Sequence, residues 1–511
     1  GVVTEDNERL PLQSVHIINQ LDRTTFSTDY ADLNQLSVWL ATAPLPQTYL
    51  ALLGQNALRG QARDVRLAFV GEHLISGYLA LNHFGNVPGQ RLWPVIGQAD
   101  NLGGLNLTLY KQPAGWIAHI NQHNLVLAVP GMLREPMTID SLKTDLYWHD
   151  SKAPLIYSPE VSFKNADLTF NGRFRYQAAD SEQAKPAQLS INTDFSQIAV
   201  ARVPAYLPRN LLDQDVLDWL DHSLDSPHQR GQVNQGQFVF NGDPHRFPFV
   251  RGGGWFSVVF DFDHLNLPYL AKWPNLMDAK GHIAFVNQQF HTEIDQGAVA
   301  NVSVAGARVS IFDLDNPVLD LALKAQAPLA KMLGFIQQSP LMPQGSLDAI
   351  KTTGNAGLDL SVKVGLMHGG HALTQGSVTF EDNDFALDKS QIYVNKINGL
   401  VKFINTDFNG EGLVGQFAGA PVTFSVATAK QADTTVINAQ AKLDPLFALR
   451  TKNTAALAPL VEHVSGKAET AVSVHIPHHG NRFNVSAHSD LRGVESSLPA
   501  PFAKTTDALW P

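Results

Sequence analysis

GSVTFEDNDFAL, residues 376–387, sets glycine first, a branched aliphatic two places on, and phenylalanine four and nine places on. The chain repeats the pattern in GHIAFVNQQF from Gly281 and GLVKFINTDF from Gly399. Alternation with period two marks strands that bury one face. A two-residue turn at Asn287-Gln288, Asp382-Asn383 and Asn405-Thr406 fits each copy, because Asn and Asp tolerate positive φ. In that register Phe285 faces Phe290, Phe380 faces Phe385 and Phe403 faces Phe408, giving three hairpins with cross-strand aromatic pairs. Ile283, Val378 and Val401 share those faces by parity, and so do the glycines, which leave room for another backbone or a ligand. Alternation reports burial without naming what is buried, so the pairs suit an ordinary β-sandwich core first and an apolar channel second.

Working outward, the same alternation runs through Leu105, Leu107, Leu109; Trp116, Ala118, Ile120; Leu319, Leu321, Leu323; Leu358, Leu360, Val362, Val364; Val422, Phe424, Val426; and Val472, Val474, Ile476. Strands recur about every ten residues between Gly, Asn, Asp and Pro, which favours hairpins and meanders over βαβ units. Helical spacing is rare. It occurs at 31–42, continues after a proline to residue 58, and returns at 213–224, where Val216, Trp219, Leu220 and Leu224 form one stripe, and at 328–338. A further helical segment fits 444–464, interrupted by Pro459. These helices suit caps or plugs on a mainly β structure and are too few to cover its sheets.

Composition limits the function classes. The 511 residues are 44% hydrophobic and only 16% charged, below the roughly 25% charge of soluble domains, so a large apolar surface must be placed somewhere. A net charge of -10 with no run of five basic residues argues against nucleic-acid binding. There is no cysteine, which excludes disulfides and thiolate chemistry. No run of 18 apolar residues is present, and GVVTEDNERL at the start is neither basic nor hydrophobic enough for a signal or anchor.

Motifs that carry firm chemistry are missing: there is no Walker A loop, HExxH, GxSxG or Rossmann glycine signature. HIPHHG (475–480) is the densest histidine cluster but lacks an acidic partner at helical spacing. DFDHL (261–265) and FDLDN (312–316) pair carboxylates two apart, and such pairs in turn-rich β proteins are mostly loop or edge residues. RGGGW (251–255) is too short for a phosphate cradle and reads as a turn before a strand. No catalytic residue, metal site or cofactor is expected.

The longest informative piece is YLPRNLLDQDVLDWLDHSLDSPHQRGQVNQGQFVFNGDPHRFPFVRGGGWFSVVFDFDHLNLPYLAKWPNL (206–276). Its LP before a helix ending in DWLD, its G-x-V-x-x-G-x-F-x-F-x-G strand, the PF before a glycine-rich turn and the YLAKWP segment resemble the YhdP family of AsmA-like proteins of Gram-negative bacteria. LGGLNLTL near 102, PMTIDSLKTDLYW from 136, IFDLDNPVLDL from 311, SPL at 339–341, GSVTFEDNDF and INGLVKFINTDFNGEGLVGQFAGAPV from 397 extend the resemblance over nearly the whole chain.

The resemblance implies an elongated, strongly bent antiparallel β-sheet whose concave face is an apolar groove, of the repeating β-groove type. It implies phospholipid as the partner, carried between inner and outer membranes in support of the outer-membrane barrier. Family members are longer and begin with an inner-membrane anchor helix, so the chain reads as a periplasmic segment. Its expected parts are an N-terminal β-groove segment (1–205), a helix-plus-β segment (206–345) and a C-terminal β segment (346–511), in one continuous groove. The expected groove lining is Ile283, Phe285, Phe290, Val378, Phe380, Phe385, Val401, Phe403 and Phe408. Two other readings stand beside this one: a rigid periplasmic scaffold that recruits assembly factors, and a carbohydrate-active β enzyme, for which no convincing carboxylate pair is found.

Overall fold

The computed structural model describes residues 14–20, 22–33, 58–86, 100–101, 104–128, 133–149, 151, 153–207, 209–225, 230–340, 348, 350–366, 372–387, 392–429, 434–447, 462–477 and 484–509. The helices expected over 31–58, most of that over 444–464, and residues 478–480 of the histidine cluster lie outside the described residues. The protein is mainly β, and its long sheet is antiparallel and open, with few short helices, as the alternation requires. By contacts the chain divides into two units, Gly1–Leu267 with His282–Gln289, and Pro268–Gly281 with Phe290–Pro511.

In the first unit, successive strands are β1 (Val15–Gln20), β2 (Arg23–Asp32), β3 (Leu58–Val70), β4 (His73–Asn86), β5 (Asp100–Asn101), β6 (Leu105–Gln112), β7 (Gly115–Ala128), β8 (Met137–His149), β9 (Leu155–Lys164), β10 (Thr169–Gln177), β11 (Gln188–Ala199), β12 (Gln232–Gly242) and β13 (Gly254–Leu267). Each pairs antiparallel with its sequence neighbours, except that β6 joins β4 directly and β5 adds to β7. Helices α1 (Val203–Tyr206) and α2 (Gln214–Leu224) are inserted between β11 and β12.

β14 (Leu276–Val286) contributes residues to both units. The second unit continues with β15 (Gln289–Val299), β16 (Val302–Ser303), β17 (Ala307–Ile311), β18 (Val318–Pro328), helix α3 (Leu329–Gln338), β19 (Ile350–Thr353), β20 (Asn355–Gly365), β21 (Ala372–Leu387), β22 (Ile392–Ile404), β23 (Asp407–Phe417), β24 (Ala420–Ala429), β25 (Thr434–Leu443), β26 (Val464–Gly466), β27 (Ala468–Pro477), β28 (Asn484–Ser489) and β29 (Val494–Ser496). From β15 to β28 the main ladder skips only β16, β19 and β26. β19 and β20 pair with opposite ends of β21, so they are one strand broken at Gly354.

Two of the three expected turns are present: Asn287-Gln288 and Asn405-Thr406 reverse the chain, with φ of 51° and 52° at the asparagines. The third is corrected. Asp382-Asn383 makes no hairpin, because β21 runs straight through it for 16 residues. Asp382 takes a left-handed φ of 52° inside the strand, and the register to β22 shifts on both sides of Asn383. This is a β-bulge, and its extra residue resets side-chain parity. Phe380 and Phe385, five apart and destined for opposite faces of a regular strand, therefore share one, with ring centroids 6.0 Å apart.

The reason is Asn383, which is fully buried. Its Nδ2 donates to the carbonyls of Thr353 and Asn355, each at 3.1 Å, and its Oδ1 accepts from the Glu381 amide at 2.8 Å. It thus bridges the break between β19 and β20. Outside it, Asp382 and Asn398 exchange hydrogen bonds of 3.1 and 2.9 Å.

The left-handed φ recurs. Asp64, Asn124, Gln197 and His264 in the first unit, and Lys396 in the second, all have φ between 50° and 53° within strands. The residues that follow them, Val65, Leu125, Ile198, Leu265 and Ile397, are all buried. At Asp64 and Lys396 the register shifts, and these β-bulges bend the strand and sharpen the local twist; across Asn124 and Gln197 the register runs on unshifted.

The helical inserts also obey a common rule. At the end of β11 the Val200 amide donates to the Gly231 carbonyl at 2.8 Å, and at the end of β18 the Leu329 amide donates to the Gly354 carbonyl at 3.0 Å. Val200 and Leu329 are both buried. In each place the ladder closes behind an insert that begins with an aliphatic anchor.

The helix stripe is corrected as well. In α2, Leu217 and Ser223 are the buried residues, whereas Val216 and Trp219 are 45% and 44% exposed. The side turned inward also carries Asp221, which Arg209 and Arg134 hold from outside the helix. Ion pairs at the rim set the rotation that hydrophobic spacing alone had placed one residue away.

Candidate functional site

Register fixes which side chains share a face. In the second unit, Leu323, Leu360, Gly376, Phe403 and Phe408 are successive cross-strand partners from β18 to β23. The next row is Ala325, Leu358, Val378 and Val401, and the next is Ala327, Ala356, Phe380 and Gly399. Beyond a bulge in β23, Leu413, Phe424, Ala439, Val472 and Ala487 continue to β28. Phe290 lies opposite Ile311, which lies opposite Leu319, on the β15 side. No residue of this grid is ionisable.

The opposite face carries the charged and polar side chains, with exposed apolar ones such as Leu400 and Ile404 among them. Lys324, Asp359, Ser377, Lys402 and Asn409 form one row there, with Lys324 and Asp359 paired at 3.3 Å and Lys363 and Asp320 at 3.1 Å. Successive side chains of a strand point to opposite faces, so one backbone serves both surfaces.

The first unit repeats the plan. Phe163, Phe170, Phe195, Gly236 and Phe260 form a row from β9 to β13, beside Thr193, Phe238 and Val258, and Ile191, Phe240 and Phe256. The Phe163 and Phe170 rings meet edge to face at 6.4 Å.

Gly376 and Gly399, among the glycines of the three echoes, were expected to admit a ligand or another backbone. At Gly376 another backbone does come close, the Asp359 carbonyl, and a neighbouring ring lies over the glycine as well. A Cβ on Gly236 would fall 2.3 Å from Phe195 Cζ, and one on Gly376 would fall 2.8 Å from Phe403 Cζ and 2.2 Å from the Asp359 carbonyl. Glycine here lets an aromatic side chain lie flat across the adjacent strand, which smooths the apolar face.

The expected lining residues divide into groups. Val378 pairs with Val401, and Phe403 with Phe408, whose rings are 6.4 Å apart. Phe408 is 38% exposed. Val378, Phe380 and Phe385, by contrast, pack with Leu358 against a buried cluster of Val302, Ala327, Leu329, Met332 and Ala356. Leu329 and Met332 belong to α3, so this helix sits on the apolar face at Phe380 and Phe385. Phe335 of α3 touches Trp273 of the YLAKWP segment, with ring centroids at 6.0 Å. Ile283 and Phe285 stand two apart on β14 and share a face of that strand, both partly buried. Helix α3 caps the apolar face, as the helices were expected to do; sequence reasoning missed that it covers Phe380 and Phe385, and it missed the Asn383 clasp.

In the first unit the insert between β11 and β12 is tied down by polar contacts. Arg202 reaches Glu135 at 2.8 Å and Asp167 at 3.1 Å, Arg209 reaches Asp221 at 3.1 Å, and Arg134 reaches Asp225 at 2.7 Å. The Tyr206 hydroxyl donates to Asp167 at 2.7 Å and accepts from Asn165 at 2.8 Å. Burial pushes the Tyr206 phenol up to about 12, and the bond to Asp167 acts in the same direction. The hydrogen bond to Asp225 holds the Arg134 guanidinium above its ordinary range. Each charged side chain here is paired with an opposite charge, so this cluster is a clasp for α1 and α2.

Among the described residues, no group of three or more His, Asp or Glu side chains is disposed to hold a metal. The D-x-D pairs differ: Asp313 accepts from the Asp315 amide at 3.0 Å in a bend, whereas Asp261 and Asp263, expected in a loop or at an edge, lie within β13 opposite β12, and Asp261 accepts from Gln235 at 3.3 Å. No helix of the described residues is long and apolar enough to cross a membrane.

Antiparallel sheets with one continuous aliphatic and aromatic face and one ionised face define a class of β protein that presents apolar surface instead of enclosing it between two sheets. Within that class the chain belongs to the YhdP family, whose model, described as YhdP protein, matches residues 2–511. The chain is 24% identical over 422 residues to the intermembrane phospholipid transporter YhdP of Escherichia coli (strain K12), an alignment that covers 81% of this chain and 32% of that protein. It therefore spans about a third of the curated relative's length. No solved structure matches.

Proposed function

We propose that the apolar faces carry the acyl chains of phospholipids between the inner and outer membranes, in support of the outer-membrane barrier, and that the chain works without catalysis or cofactor as a periplasmic part of an inner-membrane-anchored protein. The observation that carries this reading is the uninterrupted, uncharged grid from Leu323 to Ala487, backed by an ionised opposite face. Phe290, Val401, Phe403 and Phe408 are its lining, with Ile283 and Phe285 on β14. Val378, Phe380 and Phe385 line it where α3 now sits.

Exposing two acyl chains of roughly 15 methylenes each costs on the order of 20 kcal/mol, at ~0.8 kcal/mol per methylene. A strip of apolar side chains lowers that barrier without bond chemistry. Neighbouring strands are ~4.8 Å apart, so the ladder from β15 to β28 offers on the order of 50 Å of such surface.

A rigid scaffold is the second reading, favoured by the way α3 covers Phe380 and Phe385. Native mass spectrometry of the gently purified chain separates the two: bound phospholipid is expected, and a clean lipid-free spectrum supports the scaffold.

A further inference from the structure

The segment Asp243–Gly253, which links β12 to β13, is a built structure with an unusual outer surface. Two turns follow one another, closed by the Phe249 amide on the Arg246 carbonyl and the Gly252 amide on the Phe249 carbonyl, both at 2.9 Å. Phe249, only 3% exposed, is the peg: its ring lies over Gly242 and Gly254, where a Cβ would fall within 2.8 and 2.2 Å of it.

Above the peg, Phe247 prolongs the apolar face to the rim. Its ring stands 5.1 Å from that of Phe256 and 6.1 Å from that of Phe240, both on the aromatic rows described above, and it is 48% exposed. Beside it the charges are sorted. The Asp243 side chain is turned inward, 12% exposed, accepting from the His245 amide and ring, whereas the Arg246 side chain is 66% exposed and only 3.8 Å from that carboxylate at its nearest. Arg246 lies across the glycine turn, with Nη1 3.5 Å from the place of a Gly253 Cβ. Arg251, at the second turn, is exposed and makes no ion pair among the described residues. Gly252 and Gly253, with φ of 76° and 87°, keep this corner free of side chains. The rim thus joins aromatic surface to two outward guanidinium groups, whose planar forks match phosphate oxygens.

We propose that Arg246 and Arg251, at the Gly252-Gly253 corner, form a phosphate-recognition site that takes the phosphodiester of a diacyl phospholipid whose chains lie on Phe238, Phe240, Phe247 and Phe256. The site rests on the reading of that face as acyl-binding, and it adds a station at which the head group is held while the tails stay on the sheet.

The test labels the full chain with two photoactivatable lipids that carry the same diazirine acyl chains, a diacyl phosphatidylglycerol and a diacylglycerol, and counts adducts on the peptide containing residues 238–256. Inorganic phosphate serves as a third probe. For the unaltered chain the phospholipid is expected to label this peptide roughly tenfold more than the diacylglycerol, the scale of two charge-assisted contacts at an exposed site. In R246Q/R251Q the two lipids should label equally, with diacylglycerol labelling unchanged. Equal labelling in the unaltered chain overturns the site while leaving the acyl-binding face intact. Absence of labelling by either lipid overturns that face and the site with it. Phosphate binding that is lost in R246Q/R251Q, without any preference between the lipids, assigns the arginines to free phosphate and overturns the head-group role.

Discussion

Asn383→Ala is expected to destabilise the second unit by about 3 kcal/mol, the size of effect produced when a buried polar clasp is broken. The side chain is fully buried, and alanine strands the carbonyls of Thr353 and Asn355 and the amide of Glu381 together. Asn383→Asp should cost more, because it keeps the shape but turns a carboxylate oxygen toward two carbonyls in a site with no room for hydration. The loss should be local as well as global. Once the bulge slips, Phe385 returns to the other face and the cluster under α3 loses a member, so amides of Glu381 and Leu329 should exchange hydrogen much faster. Denaturant unfolding and hydrogen exchange measure both, and an unchanged midpoint for Asn383→Ala would show that the bulge is held by something else.

Val401→Asp with Phe403→Asp is the second large effect. These residues sit in adjacent rows of the apolar grid, outside the cluster under α3. Two carboxylates there would have to be stripped of water beneath an acyl chain, and burial of an unpaired charge is prohibitive. Bound phospholipid in the second unit should fall at least tenfold, and the full-length protein carrying the pair should lose transfer. Ser377→Asp is the control. It adds a carboxylate on the opposite face, in the row of Lys402, and should leave lipid binding unchanged. Equal loss in control and pair would mean that added charge, not the apolar face, decides the outcome.

Much of this was legible in the chain. Alternation from Leu105 to Ile476 fixed strand class, spacing and the inward residues, and the Asn405-Thr406 hairpin with its Phe403–Phe408 pair follows directly from turn chemistry. What failed was the assumption that parity persists along a strand. GSVTFEDNDFAL resembles its hairpin echoes because here bulge and turn alike use a residue that tolerates positive φ followed by a polar one. Only the strand broken at Gly354, 29 residues earlier, distinguishes the two outcomes, by offering Asn383 two carbonyls to bridge. The other left-handed strand positions leave a related trace, an Asp, Asn, His, Gln or Lys interrupting the alternation just before a buried residue.

Of the proposed lining, the shared face of Val401, Phe403 and Phe408 follows from periodicity alone. The covering of Phe380 and Phe385 does not, since 328–338 reads as an ordinary amphipathic helix and nothing in its spacing names the surface it meets. The position of α3 depends on Leu329 closing the ladder behind Gly354, a pairing 25 residues apart. The rotation of α2 was hidden for a related reason: Arg134 and Arg209 hold Asp221 from outside the helix.

The central claim is that phospholipid travels on one face of the sheet and never on the other. Phe403 and Lys402 are chain neighbours whose side chains point to opposite faces. A photocrosslinking amino acid placed at each position in turn, in the full-length protein, reads the two faces separately. Lipid adducts at 403 and none at 402 are the result expected here; adducts at both positions, or at 402 alone, would contradict it.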